Sequence, residues 1–127
     1  MPADNDIADH LATLGHGTVG TDIFYSSLPD SPDVCVCVIQ TGGQRPAPWE
    51  DLEYPGIQIV VRDSDSDVAR TKAEAIFADL AGLTHTTINT RIYHYFESTG
   101  SPNDVGLDEK NRRLITIPFI VTKDMEG

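Results

Sequence analysis

The chain has 127 residues, of which 39% are hydrophobic, and a formal net charge of −11. This length suits one domain with a sizeable core, and the acidic balance excludes a surface that wraps nucleic-acid phosphates. No apolar run reaches the roughly 18 residues of a membrane span, and the N-terminus lacks a secretory signal pattern. The charge favours solubility, a cationic partner, or a lumen past which an anionic polymer slides without binding.

The first third of the chain predicts one helix and two strands. Residues 4–15 have the period of a short helix, with an apolar stripe made by Ile7, Leu11 and Leu14. Residues 22–25 and 34–39 read as strands, and the Pro/Asp-rich stretch between them predicts a turn, so we expect a hairpin. Cys35 and Cys37 point to the same side of the second strand, which predicts buried free thiols and not a disulfide or a zinc site.

Residues 54–83 form the centre of the predicted fold. Residues 57–62 are aliphatic on most of both faces, which is typical of a central strand. The period then changes from two to 3.6 residues, which predicts an amphipathic helix packed on that sheet. Its apolar stripe consists of Ala69, Ala73, Ile76, Phe77 and Leu80.

The acidic run between this strand and helix has part of a calcium-loop pattern. The matching positions are Asp63, Asp65, Asp67 and Glu74. Val68 occupies the place of the obligatory glycine, and Arg70 that of an apolar residue, so the pattern fails where it is most specific. We therefore predict that Ser64, Asp65 or Ser66 caps the helix and that no metal binds.

The last part of the chain predicts two more strands. Residues 88–96 alternate with Ile88, Ile92 and Phe96 on one face, and residues 114–121 form a second apolar strand. Pro118 lies within that second run and predicts an edge strand or a bulge. The fold class is thus α/β (α+β): a single small domain, residues 1–127, with a mixed sheet of about five strands and two helices in the order α-β-β-β-α-β-β.

Two long loops, at 41–54 and 97–113, interrupt this predicted body. Long irregular loops in compact domains are usually functional. Trp49, in the first loop, is interpreted either as a lid on the core edge or as an anchor for a partner chain. The chain carries no phosphate-binding glycine loop, nucleophile elbow or H-E-x-x-H motif, so we assign no catalytic residue, cofactor or metal.

Three segments carry a family resemblance. They are the F-x-x-x-L-P-D-S-P turn at Phe24–Pro32, the pair Gly42-Gly43, and P-G-x-Q-x-x-x-R from Pro55 to Arg62, where a strand enters a helix. In order and spacing they resemble the tail terminator (minor capsid, head–tail neck) proteins of tailed bacteriophages, over residues 14–83. After Leu83 only the strand outline and Gly106-x-Asp108-Glu109 are similar.

The resemblance implies a small mixed-sheet fold without catalytic residues. It also implies a virion role: a hexameric ring of this chain that stops tail-tube growth on the major tail tube protein and docks the head-completion or connector protein. DNA would pass through the lumen without specific binding, and assembly would occur in the host cytoplasm. The candidate ring or partner contacts are Trp49, Tyr54, Arg62, Arg91, Leu107, Arg112 and Arg113.

Two other readings stay open. One is a head-completion or connector adaptor of the neck, which differs only in the ring that it binds. The other, from a different class, is a cytosolic small-ligand-binding or hydrolytic α/β protein. That reading requires a pocket with convergent polar groups near His94, Arg91 or Trp49.

Overall fold

The computed structural model describes residues 3–44 and 52–124, which form two helices and one seven-stranded sheet. In chain order the elements are α1 (Ala3–Thr13), β1 (Ile23–Tyr25), β2 (Cys35–Gln44), β3 (Leu52–Asp63), α2 (Ser66–Leu80), β4 (Thr84–Ile88), β5 (Arg91–Ser98), β6 (Asn103–Leu107) and β7 (Arg113–Asp124). The fold class is therefore the predicted α+β arrangement, with β4 and β6 as additional strands.

The sheet is mixed, with the order β1-β2-β3-β7-β5-β4. All pairs are antiparallel except β1 and β2, which run parallel. The sixth strand lies off this path and pairs with β7 as well. Because β5 pairs with Phe119–Lys123 and β6 with Arg113–Thr116, these two strands share one edge of β7 at opposite ends.

Both helices pack on the same face of the sheet. Their stripes and the inward residues of β2, β3 and β7 form one buried apolar cluster. In α2, the predicted stripe is confirmed, because Ala69, Ala73, Ile76 and Leu80 are buried and Phe77 is partly buried. In α1, Ile7 and Leu11 are fully buried, whereas Leu14 is 43% exposed and lies outside the stripe that was predicted for it.

Two predictions about neighbouring strands are wrong. The first two strands do not form a hairpin, because Ile23 pairs in parallel register with Val36. The nine residues 26–34 return the chain to the end of the sheet at which β1 begins, so that β2 can run parallel to β1. Residues 88–96 are not one strand either: Asn89 and Thr90 form a two-residue turn with φ of 50° and 68°, so that β4 and β5 are a hairpin.

The predicted loops are shorter than expected, and Pro118 lies inside the sheet. Residues 41–44 extend β2, 52–54 begin β3, and the 97–113 segment contains β6. The strand with Pro118 is interior, so the prediction of an edge strand is wrong. The Pro118 carbonyl accepts a hydrogen bond from the Thr99 N–H at 3.3 Å, so its backbone faces the gap between β5 and β6. The missing N–H therefore costs no bond to β3.

Candidate assembly surface

Arg62, at the end of β3, holds the loop that joins β1 to β2. Val61 packs into the helix-covered core, so the side chain of Arg62 points to the opposite face of the sheet. There it is only 2% exposed and donates hydrogen bonds to the carbonyls of Pro32 at 2.6 Å and Asp33 at 3.4 Å. A buried guanidinium needs such acceptors, and the loop supplies them.

Arg112 holds the same loop from the β6–β7 turn. It is 4% exposed, its Nε and Nη2 both donate to Oδ2 of Asp108 at 2.8 and 2.7 Å, and it reaches Asp33 at 3.2 Å and Asp30 at 3.4 Å. Next to it, a hydrogen bond from Lys110 and the positive charge of that residue lower the pKa of Asp30. We call residues 26–34 and 103–113 the clasp surface, because Arg112 joins its two segments and Arg62 holds the first of them to β3.

The β6 strand is an exposed part of the clasp surface. Val105 and Leu107 are each 53% exposed. Asp104, directly before Val105, is paired with Arg113 at 3.1 Å and lies 3.9 Å from Arg70. The Gly106 N–H, and after it the Arg113 guanidinium, lower the pKa of Asp104. This strand thus combines apolar side chains with neutralised charge.

The β4–β5 hairpin forms a second exposed surface, residues 84–95. Ile92 is 42% exposed and Tyr95 43%, on a segment that contains no Asp or Glu. The hairpin is anchored by Asp6 of α1, which is fully buried. Its carboxylate accepts hydrogen bonds from Tyr93 Oη at 2.6 Å, Asn89 Nδ2 at 3.0 Å and Arg91 at 3.2 Å.

The cationic side chains are used inside the chain. In the part of the chain that the structure describes, each Lys and Arg side chain bonds to or pairs with a group of the same chain. Most of the carboxylates that do not pair with Lys or Arg lie on the two helices and their caps. Examples on α2 are Asp67, Glu74 and Asp79. The helix layer is therefore acidic, whereas most carboxylates of the clasp surface pair with cations and the hairpin segment contains no Asp or Glu.

The predicted contact residues fall into three groups. Arg62 and Arg112 are buried and hold the clasp, and Arg91 is bonded to Asp6. Leu107 is exposed, whereas Tyr54 and Arg113 are half-buried. Trp49 lies outside the described residues. The structure therefore brings together only Leu107, Arg112 and Arg113, with Arg62 behind them.

Sequence reasoning missed Asp6, Asp30 and Asp33 as partners of these side chains. No local pattern could identify Asp6, because its partner Tyr93 is 87 positions away. Asp108 and Arg112 have a spacing of four, but this spacing suggests an ion pair only on a helix. Within residues 3–44 and 52–124, no helix is long and apolar enough to cross a membrane.

The acidic run caps α2. The Asp65 carboxylate accepts hydrogen bonds from the N–H groups of Asp67 at 2.9 Å and Val68 at 3.3 Å, as predicted. Cys35 and Cys37 are free and buried, and burial raises the pKa of Cys37 to about 11. Among the described residues, no group of three His, Cys, Asp or Glu side chains could hold a metal ion.

The comparisons with known proteins agree with this arrangement. The fold is similar to a chain in the virion of a native gene transfer agent particle, with a TM-score of 0.64 and 13% identity, over 90% of this chain and 83% of that chain. Among curated proteins, none matches the chain. The family model described as bacteriophage tail terminator protein matches residues 10–125. The chain therefore belongs to the bacteriophage tail terminator family and is a structural component of the virion.

Proposed function

We propose that this protein forms a six-membered ring on the last ring of the major tail tube protein and ends tube growth there. The opposite face of the ring receives the head-completion or connector protein. The observation that carries this proposal is the family match over residues 10–125. Assembly takes place in the host cytoplasm, before the tail joins the head.

The physical reason for such a cap lies in the way a tube grows. Identical rings stack head to tail through unlike faces, and this kind of contact has no intrinsic end. A terminator must match the tube on one face and mismatch it on the other. Here a rigid sheet carries different segments at its two ends: the clasp surface at one, the β4–β5 hairpin at the other. Trp49, Tyr54, Leu107 and Arg113 are proposed as contacts to neighbouring rings or copies.

The net charge of −11 is compatible with DNA passage through the ring. Acidic side chains repel phosphates and so avoid the tight, salt-sensitive binding that exposed cations produce. We expect the isolated protein to show negligible binding to duplex DNA at physiological salt, while it associates with tail-tube rings. Tight DNA binding would contradict this role for the charge.

The decisive experiment is electron microscopy of a phage that lacks this gene. Filled heads separate from overlong or irregular tails support termination. Normal-length tails attached to heads would rule it out. Normal-length tails left unattached would favour the head-completion or connector adaptor role. Complementation by the wild-type gene should restore tail length and attachment, which controls for effects on neighbouring genes.

A further inference from the structure

We infer that neighbouring copies of this chain contact each other through two different surfaces. The β4–β5 hairpin, residues 84–95, of one copy packs against the clasp surface, residues 26–34 and 103–113, of the next. This inference rests on the proposed ring. It identifies the two faces through which copies in the ring meet. The partner that binds each face is a second copy of the same chain.

Charge limits where two copies can meet. Each chain carries −11, so two copies repel each other unless their contact avoids the excess carboxylates. The hairpin meets this condition, because no Asp or Glu occurs between Asp79 and Glu97 and the carboxylates packed against it are bonded, Asp6 to Arg91 and Asp124 to His94. Its exposed side chains include Ile92 and Tyr95, and aromatic residues with few charges are typical of interface cores.

The clasp surface meets the same condition because cationic side chains lie next to its carboxylates. Its five carboxylates, Asp30, Asp33, Asp104, Asp108 and Glu109, lie with three cationic side chains of the same segments, Lys110, Arg112 and Arg113, and Arg62 of β3 and Arg70 of α2 lie next to them. Among these largely paired charges, Val34, Val105 and Leu107 are exposed apolar residues. The acidic helix layer, in contrast, would bring like charges together and stays outside the copy-to-copy contact.

The positions of the two surfaces make the contact head-to-tail. The hairpin pairs with β7 at Lys123, through Tyr93, and β6 pairs with it at Arg113, through Leu107. Ten residues of strand separate these points, about 33 Å at 3.3 Å per residue. A contact between unlike patches that far apart is heterologous, and such a contact closes into a ring where the rotation between copies allows it.

Strand edges add a second source of affinity. The fourth strand ends the sheet, and the sixth pairs on one side only among the described strands, so both carry outward-facing backbone groups. The pair next to the two-residue turn, Ile88 and Arg91, exchanges hydrogen bonds, so the N–H and C=O of Thr87 point away from β5. Such an edge can accept a strand from another chain.

Cysteine cross-linking tests the pairing of faces. Ile92→Cys and Leu107→Cys are introduced in separate chains at exposed positions, and a short bifunctional maleimide is applied to phage particles assembled from a mixture of both. We expect a cross-linked dimer in the mixture and none in particles that contain either variant alone. A chain with both substitutions should give a ladder that ends at the ring number. Wild type, whose cysteines are buried, is the blank.

A cross-link within either single variant, or none in the mixture, overturns the assignment of faces. This failure is separate from failure of the proposed function. Normal-length, head-attached tails without the cross-link reject only the faces, whereas normal-length, head-attached tails in phage that lack the gene reject the function.

Charge substitution gives an independent measure. Ile92→Asp should lower the yield of complemented particles about tenfold or more relative to Val68→Asp, because it buries an uncompensated carboxylate at the contact. Val68 is the matched control, since it is 49% exposed and lies on the acidic helix layer. Both purified variants should keep the wild-type melting temperature. Equal particle yields for the two variants would overturn the inference.

Discussion

Replacement of Asp6 by alanine should destabilise the fold by about 3 kcal/mol, because each hydrogen bond to a charged group contributes roughly 1.5–3 kcal/mol. The Asp6 carboxylate is fully buried and accepts hydrogen bonds from Tyr93 at 2.6 Å, Asn89 at 3.0 Å and Arg91 at 3.2 Å. We count the full effect only for the bond from buried Tyr93. The other two donors are nearer to solvent and can be rehydrated after the substitution.

The assay is urea unfolding followed by circular dichroism. With a slope of roughly 1–3 kcal/mol per molar urea for small proteins, the midpoint should fall by about 1–3 M. The matched control is Asp9→Ala, which removes a solvent-exposed bond to Asn89 at 2.8 Å and should cost under about 0.5 kcal/mol. The double variant of Asp6→Ala with Tyr93→Phe should be less destabilised than the sum of the two. An Asp6→Ala midpoint equal to that of Asp9→Ala would refute the reasoning.

Three further predictions concern the cap, a thiol and the clasp. Asp65→Ala should cost about 1 kcal/mol of stability, as loss of a helix cap does, and millimolar calcium should not change the wild-type melting temperature; a rise of several degrees would restore the calcium-loop reading. Because burial raises the pKa of Cys37 to about 11, this thiol of the native protein should resist iodoacetamide at pH 8. The free energy of unfolding that this pKa shift contributes should be lost as the pH rises from about 9 through 11. Arg112→Ala should speed hydrogen exchange of the Ser26 amide, which donates to the Val38 carbonyl at 3.0 Å, whereas Lys110→Ala at the exposed pair should not; equal protection in both variants would show that the buried arginine does not hold the loop.

Local sequence patterns were sufficient to predict an element wherever its buried residues follow the period of a helix or a strand. The stripe of α2, its cap at Asp65 and the apolar runs of β2, β3 and β7 were all predicted. Prediction failed at one turn and one short strand, because each lacks the residue pattern by which such an element is usually recognised. The turn at Asn89 and Thr90 contains no glycine, although both residues have positive φ, so the β4–β5 hairpin was interpreted as one strand. The sixth strand was missed because its exposed residues show no alternation.

The family resemblance and the fold class could thus be obtained from the sequence alone, since both depend on the order and spacing of neighbouring residues. The partners of the buried charges could not. Asp6 meets Tyr93 across 87 positions, and Arg112 meets Asp30 across 82. These pairs form only when strand register and helix packing bring distant segments together. Sequence marked Arg62 and Arg112 as contacts to other chains. The tertiary structure buries both within the chain, where carbonyl or carboxylate oxygens surround each guanidinium and make its burial stable.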